Sequence, residues 1–278
     1  MKSFDFVPLS KIISIQQKLS VYVAALVTTE DWTRSVLLYE TWGREFIERY
    51  GGVLKFSSAT PYKPFENITL VNPKYVNGGF RKLFYLFNDS VKDFLENTTL
   101  QWIYRATEDC YVNLDLFGEF YEKMISQYSP STYVFKGQVC PYIGGTFYIH
   151  GGSGWFISRA AAQKYYDLLD TMTPYYVSHY VGDDVVIYNF TKRMNLTAKD
   201  IEQKEFLGHS FSNDDFERIR TLNFTGIKKC PHATHKLKET VFWHSGRSDN
   251  FQMVHGKEIY PKLPDNLYHD FGLCTKDE

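Results

Sequence analysis

Charge of one sign is what this sequence most plainly lacks. Its 31 Lys and Arg stand against 32 Asp and Glu, a formal net charge of −1, and the signs are interspersed. A surface that wraps polyphosphate needs a basic excess or a basic stripe, so the composition argues against nucleic acid as a partner. Any charged ligand must be recognised locally rather than by a global field. Long apolar runs are missing too. The longest early one, Val-Tyr-Val-Ala-Ala-Leu-Val at 21–27, is far short of the ~18 residues that a spanning helix needs, and the N-terminus has no apolar signal core. No G-x-G-x-x-G fingerprint occurs, so dinucleotide binding of that kind is not expected. There is no internal repeat and no low-complexity segment.

What is present is a globular chain of 278 residues, 44% hydrophobic in mixed patterns, with room for a sizeable core. Residues 20–29 are β-branched and apolar and read as a first strand. Residues 31–50 read as a helix, with Val36, Leu37, Tyr39, Trp42, Phe46 and Ile47 near helical spacing, Asp31 or Thr33 available as its cap, and Gly51-Gly52 to stop it. A second strand follows at 52–59, a helix at 79–96, a strand at 101–107 and a helix at 113–127. Strands alternating with helices predict a largely parallel sheet with covering helices. The second half carries short, aromatic, glycine-punctuated strands, a helix at 160–172 and another from 183. No linker divides the chain.

In open sheets of this kind ligands bind beyond the carboxyl ends of strands. There the strand Trp102-Ile103-Tyr104 runs into Glu108 and Asp109. Adjacent residues on extended backbone point to opposite sides, so one acid can face a ligand while the other points away. A carboxylate on such a loop is a standard oxygen ligand for magnesium or manganese. The bland alternative is that the pair caps the helix near Asn113 or meets Arg105. Gly151-Gly152-Ser153-Gly154-Trp155 would let backbone approach a sugar or another strand closely, with Trp155 as an apolar face. Asp183 and Asp184 stand where a helix begins, as caps or as a proton acceptor for an attacking hydroxyl. His244 ends the apolar run Val241-Phe242-Trp243 and can ligate a divalent metal.

These segments, in this order, resemble the fringe-like β-1,3-glycosyltransferases, the broad family that includes core-1 galactosyltransferases. The resemblance runs from about residue 20 to 250. It is carried by VTTEDWTRSVLLYETWG, RATEDCYVNLD, GGSGWFISRAA, GDDVVIYN and VFWHSG. It implies a GT-A fold, α/β with a mixed, mostly parallel sheet flanked by helices. It further implies a single catalytic domain over 1–278, with a nucleotide-sugar-binding half at about 20–127 and an acceptor-binding half at about 128–278. The implied activity is inverting transfer from a nucleotide-sugar donor, with UDP as the carrier, to a glycan or glycoprotein acceptor, giving a β-1,3 linkage. Asp109 and His244 fall on the ligands of Mn2+ or another divalent cation, and Asp184 falls on the catalytic base, with Asp183 as alternate. Thr28, Thr29, Arg34, Glu108, Gly152 and Gly154 fall on the donor side. Tyr148, Trp155 and Trp243 flank the motifs as acceptor-binding candidates. The chain departs from the family at Thr107 and Glu108, which replace the first two acids of its metal-binding triplet. Two other functions fit the residues: a glycan-binding module without turnover, and a metal-dependent hydrolase built on Asp109, Asp183 and His244.

Six N-x-S/T sequons, at Asn67, Asn88, Asn97, Asn189, Asn195 and Asn223, point to a secretory-pathway lumen, Golgi or ER. The four cysteines, Cys110, Cys140, Cys230 and Cys274, fit one or two disulfides there. Membrane attachment would come only from an N-terminal anchor outside this sequence, as in a type II membrane protein.

Overall fold

The computed structural model describes residues 19–28, 32–60, 68–70, 80–141, 147–179, 183–208 and 240–244. The first strand, β1 (Val21–Leu26), leads into helix α1 (Thr33–Leu38), a π-helical turn (Tyr39–Gly43) and helix α2 (Arg44–Tyr50), with Gly51 in the left-handed conformation as the stop. Thr33 is the first helical residue rather than the cap. Trp32 holds the cap position without a side-chain bond, and Asp31 lies outside the described residues. β2 (Val53–Ser58), β3 (Ile68–Leu70), α3 (Phe80–Asn97), β4 (Trp102–Thr107), β5 (Cys110–Val112) and α4 (Leu114–Gln127) follow. Asn113 caps α4 by accepting a hydrogen bond from the Asp115 amide at 3.1 Å. Glu108 and Asp109 are therefore not needed as caps. The second half supplies β6 (Phe135–Lys136), β7 (Val139–Pro141), β8 (Phe147–Ile149), β9 (Trp155–Ser158), α5 (Arg159–His179), α6 (Asp183–Arg193), α7 (Ala198–Ile201), β10 (Phe206–Leu207) and β11 (Phe242–His244).

The central sheet has six strands in the order β3-β2-β1-β4-β9-β6. β3, β2, β1 and β4 pair in parallel, and β9 is antiparallel to both β4 and β6. This is the mixed, mostly parallel α/β arrangement expected of a GT-A-like fold. Both faces of the sheet are covered, as the continuous apolar reading of β1 requires. Val21, Val23 and Ala25 pack with Trp102, Tyr104, Phe117 and Phe120 on one face. Tyr22, Ala24 and Leu26 pack with Phe87, Phe94, Ile103 and Tyr165 on the other. The strand period of two thus places alternate side chains in two separate apolar clusters.

A second sheet of three strands, β10-β11-β5, positions the candidate site. β11 runs antiparallel to β5, with Phe242 opposite Val112, Trp243 opposite Tyr111 and His244 opposite Cys110. The backbone ladder therefore fixes where His244 stands relative to the end of β4.

Candidate active site

Three segments meet at the carboxyl end of β4: the turn Glu108–Asp109, the glycine turn 151–154, and the end of β11. His244 Nε2 lies 3.2 Å from Asp109 Oδ2. Thr107 Oγ1 donates to the other carboxylate oxygen at 2.6 Å, and the Arg34 guanidinium stands 3.9 Å from Oδ2. The Asp109 and His244 side chains keep 16% and 20% of their surface open, enough to receive a ligand. The other His244 nitrogen, Nδ1, is 3.0 Å from the Gly208 carbonyl. A carbonyl only accepts, so Nδ1 carries a proton; Nε2 donates to the Asp109 carboxylate here and is the atom that would ligate once it gives up that proton.

The electrostatics follow from this pairing. Burial works to raise the Asp109 carboxyl, but the His244 hydrogen bond and charge, with help from Thr107 and Arg34, bring it down to about 2. Burial works to lower the His244 imidazole, and the bond and charge of Asp109 outweigh it and hold the ring above its ordinary value. Glu108 behaves differently. It is buried, and burial together with the neighbouring Asp109 charge raises it despite two bonds from Thr28. One oxygen accepts from the Thr28 amide at 3.2 Å and the other from the Thr28 hydroxyl. Lys82 Nζ donates to the Thr28 carbonyl at 2.9 Å. The carboxylate expected to reach the donor therefore holds β4 to the end of β1. Thr29 lies outside the described residues.

The glycine turn is packed against this group. A Cβ on Gly152 would overlap the His244 ring, and one on Gly154, whose φ is +78°, would overlap the Arg105 carbonyl. These glycines serve close approach of backbone to side chain and strand. The two tryptophans read as acceptor platforms require correction. Trp155 and Trp243 are each 1% exposed. Trp155 packs on Phe87 and Phe135, so neither indole presents an open face to a sugar. Tyr148 is half-buried, with its ring near His150. Asp183 and Asp184 occupy the first turn of α6. Asp183 is engaged in a buried ion pair with Arg105 at 2.6 Å, whereas Asp184 is half-buried.

Sequence reading missed Trp42 and His150. Trp42, in the π-helical turn, donates its indole N–H to the Cys110 carbonyl at 3.0 Å and so steadies the residue after Asp109. The signal was there in Glu40-Thr41-Trp42, but its role needs the long-range contact. The His150 ring stands 5.7 Å from that of His244. Cys110 is a buried free thiol next to the Tyr104 hydroxyl, 2.7 Å away, and burial pushes it up to about 12. Cys110 forms no disulfide among the described residues. Cys230 and Cys274 lie outside the described residues.

No family model matches the chain. No curated protein matches it either. A solved structure similar to it is the crystal structure of a glycosyltransferase involved in the glycosylation of the major capsid of PBCV-1. The likeness has a TM-score of 0.42 and 10% identity, and covers 85% of this chain and 98% of that one.

Among the described residues no three His, Cys, Asp or Glu side chains gather as a closed cation cage. One carboxylate oxygen and one imidazole nitrogen suit a divalent transition metal such as manganese, whose remaining positions would come from substrate oxygens and water. Asp109 and His244 fit that role.

Proposed function

We propose that the chain is an inverting, metal-dependent glycosyltransferase. It moves a sugar from a nucleotide-sugar, with UDP as the carrier, to a hydroxyl of a glycan or glycoprotein, forming a β-1,3 linkage. The observation that carries this reading is the meeting of Asp109 and His244, 135 positions apart in the chain, at 3.2 Å, beyond the carboxyl end of a parallel strand. A divalent cation bound there would neutralise charge on the departing diphosphate as a Lewis acid. Asp109 and His244 would hold it. Thr107 and the Gly208 carbonyl orient those two side chains, and Arg34 adds positive charge beside them. Asp184 would take the proton of the acceptor hydroxyl from the opposite side of the sugar carbon, so that one displacement inverts the centre. Asp183, committed to Arg105, is the weaker candidate for the base.

The test pairs binding with turnover. UDP should bind more tightly with Mn2+ than in chelator, and Asp109→Asn should abolish that difference. Asp184→Asn should lower transfer by ~10²–10⁴-fold, the usual worth of a general base, with unchanged thermal stability. Transfer at the wild-type rate in chelator would overturn the metal role. Engagement of Glu108 by Thr28 favours one rival, a glycan-binding module without turnover. Any sugar transfer to an acceptor rules that rival out. Release of free sugar alone, with acceptors present, would favour a hydrolase.

The sequons support a secretory-lumen location. Asn97 and Asn195 are exposed, whereas Asn88 accepts a hydrogen bond from the Tyr165 hydroxyl at 2.5 Å. Asn67 and Asn223 lie outside the described residues.

A further inference from the structure

Arg105 breaks the pattern of its strand. Every residue of β4 is buried. Trp102, Tyr104 and Ala106 join one apolar cluster and Ile103 joins the other. By the strand period Arg105 belongs with Ile103, and its side chain is 1% exposed. A guanidinium at such a position is costly unless it is paired.

Its partners come from three different elements. Nη2 donates to Asp183 Oδ2 at 2.6 Å, Nη1 donates to the Gly151 carbonyl, and the group lies over the Trp155 ring at 4.5 Å. Nε has no partner. A buried ion pair with a donor left over is a poor way to stabilise a core, because apolar residues of the same volume commonly do as well or better. What the arrangement supplies is position. Gly151 opens the turn packed on His244, Trp155 opens β9, and Asp183 begins the helix whose next residue is Asp184. Arg105 itself lies four positions before Asp109 on the same strand–turn segment.

We infer that Arg105 and Asp183 form a clamp that sets the helix carrying Asp184 in register with the Asp109–His244 pair; this rests on the glycosyltransferase reading above. Asp183 is then a positioning residue, which accounts for two adjacent acids where a helix start needs one. The rigid fork of an arginine reaches two acceptors at once, which a lysine ammonium on a flexible stem does not reproduce.

The experiment uses the full chain and four forms: wild type, Asp183→Asn, Arg105→Lys, and the double variant Arg105→Met with Asp183→Leu. Amide hydrogen exchange is followed across residues 183–187, UDP binding is measured with Mn2+, and kcat and KM are measured for transfer over a pH series. In the two single variants the clamp predicts exchange in the first turn of α6 faster by about tenfold or more. It predicts kcat lower by ~10–10²-fold, as small displacements of a reacting group produce. UDP affinity should stay within about twofold of wild type and the shape of the kcat–pH profile should be kept. The apolar double variant should recover the melting temperature but not kcat, which separates position from stability. Wild-type exchange and kcat in Asp183→Asn would overturn the clamp. So would loss of the basic-group limb of the pH profile in that variant, since Asp183 would then be the base itself. Should the wild-type chain transfer no sugar, the glycosyltransferase reading fails, and the exchange data alone decide whether the clamp holds the helix.

Discussion

Gly152 has its identity imposed by the ring above it. A methyl group there would drive the His244 imidazole away from its place between the Gly208 carbonyl and Asp109. Gly152→Ala should therefore weaken Mn2+ affinity by ~10–100-fold, the usual effect of disturbing a ligand's support, with little change in melting temperature. Calorimetric titration of Mn2+ in the presence of UDP checks it, and unchanged affinity would detach Gly152 from the site. At this scale the sequence was partly legible. Asp109 and His244 were named from the order of motifs, because a terminal acid and a terminal histidine on apolar strands are visible locally. The surroundings of Glu108 and of the two tryptophans were not legible, for one shared reason. Their surroundings are made by parts of the chain distant in sequence: Thr28 lies 80 residues from Glu108, and short aromatic strands give no local sign of being covered on both faces.

Helices and strands were read more surely than their joints. The helical period over residues 31–50 was visible, but the π-helical turn at Tyr39–Gly43 was not, since no residue pattern marks it. Yet that turn presents Trp42 to Cys110. Glu202, after the short helix α7, is another joint. It accepts a hydrogen bond from the Val139 amide of β7 at 2.6 Å, and burial raises its carboxyl from an ordinary value of 4.5 to about 7. The folded state then holds this proton more tightly than the unfolded chain does. The stability contributed by the protonated form is full below about pH 4.5 and is lost as pH rises towards 7. Because the side chain is only partly shielded, the change should amount to about 1–3 kcal/mol. Glu202→Gln keeps an acceptor for Val139 and cannot ionise. Its melting temperature should exceed wild type at pH 8 and match it near pH 5. Equal curves across that range would show that Glu202 does not titrate in the fold.

Over the whole molecule, the alternation of strands and helices was enough to anticipate a mostly parallel sheet covered on both faces. The antiparallel insertion of β9 and the separate β10-β11-β5 sheet were not, because pairing partners leave no periodic trace. The sequons supply a test at this scale. Expressed through a eukaryotic secretory pathway, the protein should carry glycans at Asn97 and Asn195, both exposed, when mapped by peptide mass spectrometry. Asn88, half-buried where Asn97 and Asn195 are exposed, should carry less. Occupancy at Asn88 equal to that at Asn97 and Asn195 would show that burial in the fold does not decide which sequons are used.

The ladder between β5 and β11 has one more consequence. Asp109 leaves the ribosome long before His244, and only the docking of a strand made 135 residues later supplies its imidazole. A nascent or truncated chain ending before residue 244 contains every strand of the central sheet but lacks the Asp109–His244 pair. Competence would then arrive late in synthesis, as a single event, rather than grow with the length of the chain.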